Sequence, residues 1–124
     1  MKDGKYVIMT IDDDPDFLAA IRLVLEAGGY IISEAKSAEE GLKAYKTVQP
    51  DLILVDLMME EIDSGTSFIK ELRLLGNKAP VFLMSAAGDE MTGNIDYTQL
   101  GFAGVFQKPV QNDRLLNVIK AKLK

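Results

Sequence analysis

Three carboxylates, a hydroxyl and an amine stand at the ends of four apolar runs of this sequence. Asp12 and Asp13 follow the first run, Asp56 ends another, and Ser85 and Lys108 end or follow two later ones. Short apolar runs bounded by polar residues are typical of buried parallel strands. Because ligands bind where such strands end, we expect these side chains to lie together at one edge of a sheet.

Each of these residues also has an ordinary structural explanation. Asp12 and Asp13 suit the first turn of a helix, whose dipole favours carboxylates. Asp56 and Ser85 suit caps and turns, and Lys108 suits a solvated surface. A chance convergence of all of them at one edge explains the pattern less well than a shared site does.

The residue types predict a metal site with phosphoryl chemistry. Three carboxylates at one edge repel one another, and a cation relieves that repulsion. The chain has no His and no Cys, and all-oxygen ligands select a hard ion, Mg²⁺. A carboxylate beside Mg²⁺ and Lys108 is placed as a nucleophile toward a phosphoryl group, to which Ser85 could donate a hydrogen bond. The sequence does not say which acid attacks, but geometry favours Asp56, with Asp12 and Asp13 holding the metal.

Five apolar runs predict the strands that position these residues. They are Lys5–Ile11, Tyr30–Ala35, Asp51–Asp56, Pro80–Ser85 and Ala103–Gln107. Because they alternate with helical patterns, we predict an α/β fold, a three-layer α-β-α sandwich around a parallel sheet. The doubly wound, flavodoxin-like order 2-1-3-4-5 makes strands one and three neighbours. That order brings Asp12 and Asp13 beside Asp56.

Five helical patterns complete the predicted sandwich. They run from Pro15 to a stop at Gly28, from Ser37 to Pro50, from Phe68 to Gly76, from Gly88 to Gly101, and from Leu115 to Leu123. Ser37 and Glu40 form a capping box. The acidic stretch Glu60–Gly65 is interpreted as a loop before the third helix. The Gly88–Gly101 stretch has low helical propensity, so we expect a short or mobile helix there.

Length and composition restrict the class of protein. A chain of 124 residues predicts one domain, residues 1–124, with its own core. A net charge of −5 argues against direct nucleic-acid binding, which needs a clustered basic face. No apolar run is long enough to span a membrane. The absence of Cys fits a cytoplasmic protein.

Four motifs in order carry a family resemblance over Lys5 to Leu123. They are Ile11-Asp12-Asp13-Asp14-Pro15, Leu54-Val55-Asp56-Leu57-Met58-Met59, Met84-Ser85-Ala86 and Lys108-Pro109. With these motifs the chain resembles a response-regulator receiver domain of two-component signalling. The resemblance predicts a regulatory phosphoacceptor that assists its own phosphorylation and dephosphorylation, rather than an enzyme acting on other substrates.

The resemblance also implies a role for each site residue. Asp56 would receive a phosphoryl group from the phosphohistidine of a histidine kinase. Asp12, Asp13 and Asp56 would bind Mg²⁺, with the backbone carbonyl of Met58 as a further ligand. Ser85 would hydrogen-bond the phosphoryl group, and Lys108 would pair with it.

The last strand departs from the family pattern. Family members usually carry an aromatic residue three positions before the lysine, and this chain has Val105 there, with Phe106 one position later. A shift of one residue along a strand turns a side chain to the opposite face. We therefore predict that Phe106 is a core residue, and that Ser85 and the Gly88–Gly101 segment carry any signal.

The sequence thus predicts a stand-alone receiver domain. Its expected partners are a sensor histidine kinase or phosphotransfer protein and an unidentified downstream protein. One alternative is a degenerate receiver or flavodoxin-like module that binds partners without phosphorylation. Another is a small phosphatase with an aspartyl nucleophile, since Asp12-Asp13-Asp14 contains an Asp-x-Asp pattern after a strand. Covalent phosphorylation at Asp12 instead of Asp56 would identify the phosphatase.

Overall fold

The structure, a computed structural model, describes residues 4–56, 62–86, 101–108 and 110–123. Strands and helices alternate along most of this part of the chain. The strands are β1 (Val7–Ile11), β2 (Ile31–Ala35), β3 (Leu52–Asp56), β4 (Val81–Ala86) and β5 (Gly104–Lys108). The helices are α1 (Pro15–Ala27), α2 (Ala38–Val48), α3 (Ile62–Leu74) and α4 (Asn112–Leu123).

The strands form one parallel sheet in the order β2-β1-β3-β4-β5, as the sequence predicts. The chain crosses over after β2, so β1 and β3 are neighbours in the sheet. This arrangement makes the carboxyl ends of β1 and β3 adjacent, which is the position where doubly wound sheets bind ligands.

Two apolar clusters cover the faces of the sheet and confirm the three-layer sandwich. On one face, α2 and α3 pack over the strands, with Ile11, Val55, Phe68 and Leu72 among the buried side chains. On the other face, α1 and α4 contribute Ile21, Leu25, Leu115 and Ile119. Strand β3 lies between both clusters, and its residues Leu52 to Val55 are fully buried. Burial on both faces explains why this strand has a continuous apolar sequence.

Local signals fix where the helices begin and how closely one of them approaches the sheet. The Ser37 hydroxyl accepts a hydrogen bond from the backbone N–H of Glu40 at 3.1 Å, which confirms the predicted start of α2. In the same helix, a Cβ added to Gly41 would lie 2.5 Å from Cδ1 of Ile11. Glycine therefore lets α2 pack directly on the end of β1, next to the predicted site.

Several bounds of the predicted elements are wrong, and β4 and β5 each begin and end one residue later than predicted. Helix α3 begins at Ile62, inside the stretch interpreted as a loop, because acidic and hydroxyl residues also suit a first helical turn. Leu75 lies within the predicted third helical pattern, but it follows the end of α3 and is 41% exposed. Asp51 precedes β3, and its carboxylate accepts a hydrogen bond from the N–H of Val7 at 2.8 Å. The predicted Gly88–Gly101 helix lies almost wholly outside the described residues.

In the part of the chain that the structure describes, no helix is both long and apolar enough to cross a membrane.

The Thr10 side chain is an exception within the apolar core. Thr10 is 1% exposed. Its hydroxyl oxygen is buried and has no hydrogen-bond partner, and it is the one such side-chain atom among the described residues. A buried hydroxyl that lacks a partner destabilises the folded state. We expect Thr10→Val, which keeps the shape and removes the hydroxyl, to raise the free energy of unfolding by about 1–2 kcal/mol in urea denaturation.

Thr10→Ser is the matched control for this measurement. It keeps the hydroxyl and removes a buried methyl group, so the free energy of unfolding should fall by about 1 kcal/mol. A lower stability of the valine variant would show instead that a buried water satisfies the Thr10 hydroxyl.

Candidate functional site

The carboxyl ends of β1 and β3 bring three acidic side chains together. The parallel register pairs Ile11 with Val55, so the next residues on each strand, Asp12 and Asp56, lie side by side. Each of Asp12, Asp13 and Asp56 offers a carboxylate oxygen, and these oxygens lie within 4.8 Å of one another. The crossover of the chain, and not proximity in sequence, creates this cluster.

The three acids differ in exposure. Asp12 is 1% exposed, Asp56 is half-buried and Asp13 is exposed. The backbone also holds Asp12 in place: its N–H donates to the carbonyl of Ala35 at 3.0 Å, and its Oδ1 accepts from the N–H of Asp14 at 2.9 Å. Asp12 is therefore a fixed, buried acid, whereas Asp56 remains accessible at the end of its strand.

Asp14 has a different role from the two acids before it. Its Oδ1 accepts a hydrogen bond from the N–H of Asp16 at 2.9 Å, which caps the first turn of α1. Pro15 follows as the first residue of that helix. Capping by an acid followed by proline is a recognisable pattern, so the sequence contained the signal that separates Asp14 from the cluster.

The chemistry of this cluster fits a hard divalent cation. Carboxylates this close together repel one another unless a proton or a cation lies between them. Oxygen-only ligands with room for water favour Mg²⁺ over the softer transition metals. Among the described residues, Asp12, Asp13 and Asp56 form the one group of acids that lie close enough together to hold a metal ion. Met58, whose carbonyl is the further predicted ligand, lies outside the described residues.

Ser85 and Lys108 belong to the strands on the other side of β3. The register pairs Asp56 with Met84, which places the backbone of Ser85 one residue beyond that pair on β4. Lys108 is the last residue of β5 and pairs with Ala86. Both backbone positions therefore lie at the same edge of the sheet as the acids, as the sequence predicts. Pro109 lies outside the described residues.

The aromatic residue of the last strand is in the core, as predicted. Phe106 is 3% exposed, and its ring centroid lies 5.3 Å from that of Phe82. Val105 faces the opposite side of the sheet, where it is partly buried against the cluster formed by α2 and α3. The position at which family members usually carry an aromatic side chain is therefore occupied by a small aliphatic one.

Comparisons with known proteins agree with this fold. Residues 8–120 match the family model of the response regulator receiver domain. The chain is 31% identical over 117 residues to the chemotaxis protein CheY of Bacillus subtilis, and the match covers 94% of this chain and 96% of CheY. A crystal structure of a response regulator receiver domain protein from Clostridium thermocellum superposes with a TM-score of 0.81 at 25% identity, and the match covers 95% of this chain and 94% of that one.

The chain belongs to the response regulator receiver domain family. It is a receiver domain of the kind found in two-component response regulators. Other relatives are longer: the chain is 32% identical to the transcriptional regulatory protein GlrR of Escherichia coli, and the match covers 90% of this chain but 25% of GlrR. It therefore spans about a quarter of that protein's length.

Proposed function

We propose that this receiver domain, residues 1–124, is a Mg²⁺-dependent phosphoacceptor of a two-component phosphorelay and that Asp56 accepts the phosphoryl group. The observation that carries the proposal is the cluster of Asp12, Asp13 and Asp56 at the ends of adjacent strands, with carboxylate oxygens within 4.8 Å. The buried, hydrogen-bonded Asp12 suits a metal ligand, and the half-buried Asp56 at the end of the central strand suits the nucleophile.

Each residue of the proposed site would have its own role in phosphoryl transfer. Asp12, Asp13 and Asp56, with the carbonyl of Met58, would hold Mg²⁺, which when bound supplies positive charge against the phosphoryl oxygens. A carboxylate oxygen of Asp56 would attack phosphorus, and the bond from phosphorus to the donor's histidine nitrogen would break. Ser85 would donate a hydrogen bond to the transferred group, and Lys108 would balance its charge.

The partners follow from this chemistry. A sensor histidine kinase or a phosphotransfer protein would supply the phosphoryl group, in the cytoplasm. An unidentified downstream protein would recognise the phosphorylated state through a shift in a pre-existing conformational equilibrium. A net charge of −5 supports contact with proteins and not directly with nucleic acid.

Intact-mass measurement after incubation with Mg²⁺ and acetyl phosphate tests the proposal. We expect a gain of one phosphoryl group per chain, and we expect EDTA to prevent it. The same measurement with a histidine kinase as donor covers the case in which the small donor reacts too slowly. No gain from either donor would contradict the proposed function.

One observation favours a second candidate, an interaction module that binds its partner without phosphorylation. Val105 stands where the family usually has the aromatic residue that responds to phosphorylation, and Phe106 is locked in the core. The two candidates differ in the behaviour of Asp56→Asn. This substitution would abolish regulation of a phosphoacceptor, whereas an interaction module would bind its partner unchanged.

A further inference from the structure

A cavity of about 340 Å³ lies between the end of α3, the segment that leads into β4, and the segment that leads into β5. Its partly exposed apolar lining is Ala79, Pro80 and Ala103, above the buried side chains of Ile69, Leu72 and Phe102. Arg73 and Lys78 lie on its wall with Gly101. Its volume is within the range of small-molecule sites in proteins. The cavity is at the amino-terminal ends of β4 and β5, the opposite edge of the sheet from the acidic cluster.

Hydrogen bonds hold the wall of this cavity in a defined shape. The side chain of Asn77 both accepts from the N–H of Ala79 and donates to its carbonyl, each at 3.0 Å. The N–H of Ala103 donates to the carbonyl of Val81 at 2.7 Å, which fixes the opposite wall. These bonds make the segment between α3 and β4 a fixed part of the cavity and not a loose loop.

Glycine at position 101 leaves the space that Arg73 occupies. Gly101 has a φ of +101°, and a Cβ added there would lie 2.7 Å from Nη2 of Arg73 and 2.7 Å from Cγ2 of Ile69. The guanidinium of Arg73 therefore packs against the backbone of Gly101 at the cavity wall. This contact places the guanidinium of the exposed Arg73 beside the cavity, and its planar N–H donors match a carboxylate or phosphate.

The charge of the lining defines the ligand class. Among the described lining residues, the charged side chains are Arg73 and Lys78, both cationic, although the whole chain carries a net charge of −5. Asn77 and the partly exposed Ala79, Pro80 and Ala103 complete the surface. We propose that this cavity binds a small organic anion, a carboxylate or phosphate joined to a compact apolar group, with Arg73 as the anchoring residue.

This site is separate from the proposed phosphoacceptor site and goes beyond that function. The cavity lies at the amino-terminal end of β4 and the acidic cluster at the edge where β4 ends. Because β4 has six residues with a rise of about 3.3 Å each, the two sites are about 16 Å apart. The acids of the phosphoacceptor cluster would repel the same ligand. Binding in the cavity can therefore be tested in Asp56→Asn, which should bind the anion as the unchanged protein does.

Titration of the ¹⁵N-labelled protein with benzoate, followed by NMR, tests the proposal. We expect saturable shifts of the amide signals in segments 77–79 and 101–104, with a dissociation constant of about 1–10 mM for a ligand of this size. Phenyl phosphate should shift the same signals. Benzyl alcohol lacks the charge and acetate lacks the ring, so neither should saturate these shifts at the same concentrations.

Two charge-removing variants on the same helix give the matched comparison. Arg73→Gln should weaken benzoate binding about tenfold, because it removes a charge-assisted hydrogen bond. Lys70→Gln removes an equal charge from α3 at an exposed position outside the cavity lining and should leave binding within about twofold. The proposal would be overturned if both variants weakened benzoate binding equally. It would also be overturned if benzoate caused no saturable amide shifts, or shifted only amide signals outside segments 77–79 and 101–104.

Discussion

Asp12→Asn is expected to weaken Mg²⁺ binding about 100-fold, since it removes one full negative charge from a buried position of the proposed metal site. Asp12 is 1% exposed and its carboxylate lies within 4.8 Å of the two other acids. Water cannot readily replace a ligand at such a buried position. The phosphorylation rate at limiting Mg²⁺ should fall in parallel, because the same site would serve both processes.

Calorimetric titration with Mg²⁺ measures this effect, and Asp14→Asn is the control. Asp14 belongs to the same run of acids, but its carboxylate caps α1 through the N–H of Asp16. Asparagine is an equally good helix cap, so this variant should keep both its stability and, within about threefold, its Mg²⁺ affinity. If Asp14→Asn weakened binding as much as Asp12→Asn, the overall negative charge of the run, and not the defined cluster, would attract the metal.

The sequence predicted the alternation of strands and helices because its apolar runs and its helical patterns have different periods. The strand order then followed from the common doubly wound arrangement of such units. Leu52 to Val55 form a continuous apolar run, which fits burial between two layers of helices. The boundary of α3 was harder to predict, since Asp63, Ser64 and Gly65 occur in loops as well as in first helical turns. Composition alone cannot separate these two possibilities where tertiary packing decides.

The acidic cluster was predictable because strand ends are visible in the sequence and the strand order brings them together. Asp12 and Asp56 are far apart along the chain, but Asp12 follows the buried strand β1 and Asp56 is the last residue of β3. The cavity at the other edge had no comparable signal. Arg73 and Gly101 meet only through the packing of α3 against the segment before β5, and the close approach that the glycine permits leaves no periodic pattern.

Asp56→Asn is expected to abolish phosphoryl uptake, with a fall of more than about 1000-fold, because an amide oxygen is a poor nucleophile toward phosphorus. The substitution keeps the size of the side chain at the half-buried end of β3. Stability in urea should therefore stay close to that of the unchanged protein. Intact mass after incubation with Mg²⁺ and acetyl phosphate measures the loss of uptake.

Loss of uptake alone does not separate a nucleophile from a metal ligand, because Asp12→Asn would also slow the reaction by weakening Mg²⁺ binding. The covalent position of the phosphoryl group separates them. Borohydride reduces an aspartyl phosphate to homoserine, and peptide mass spectrometry then locates the changed residue. We expect the change at Asp56 in the unchanged protein and, at saturating Mg²⁺, at Asp56 again in Asp12→Asn.

A homoserine at position 12 would support the aspartyl phosphatase alternative, in which the first acid of the Asp-x-Asp pattern attacks. The geometry argues against that outcome. Oδ1 of Asp12 already accepts a hydrogen bond from the N–H of Asp14, and the residue is 1% exposed, so a donor has little access to it. Asp56 is half-buried at the end of the central strand. Asp56 can therefore approach a phosphoryl donor while the buried Asp12 keeps its place in the proposed metal site.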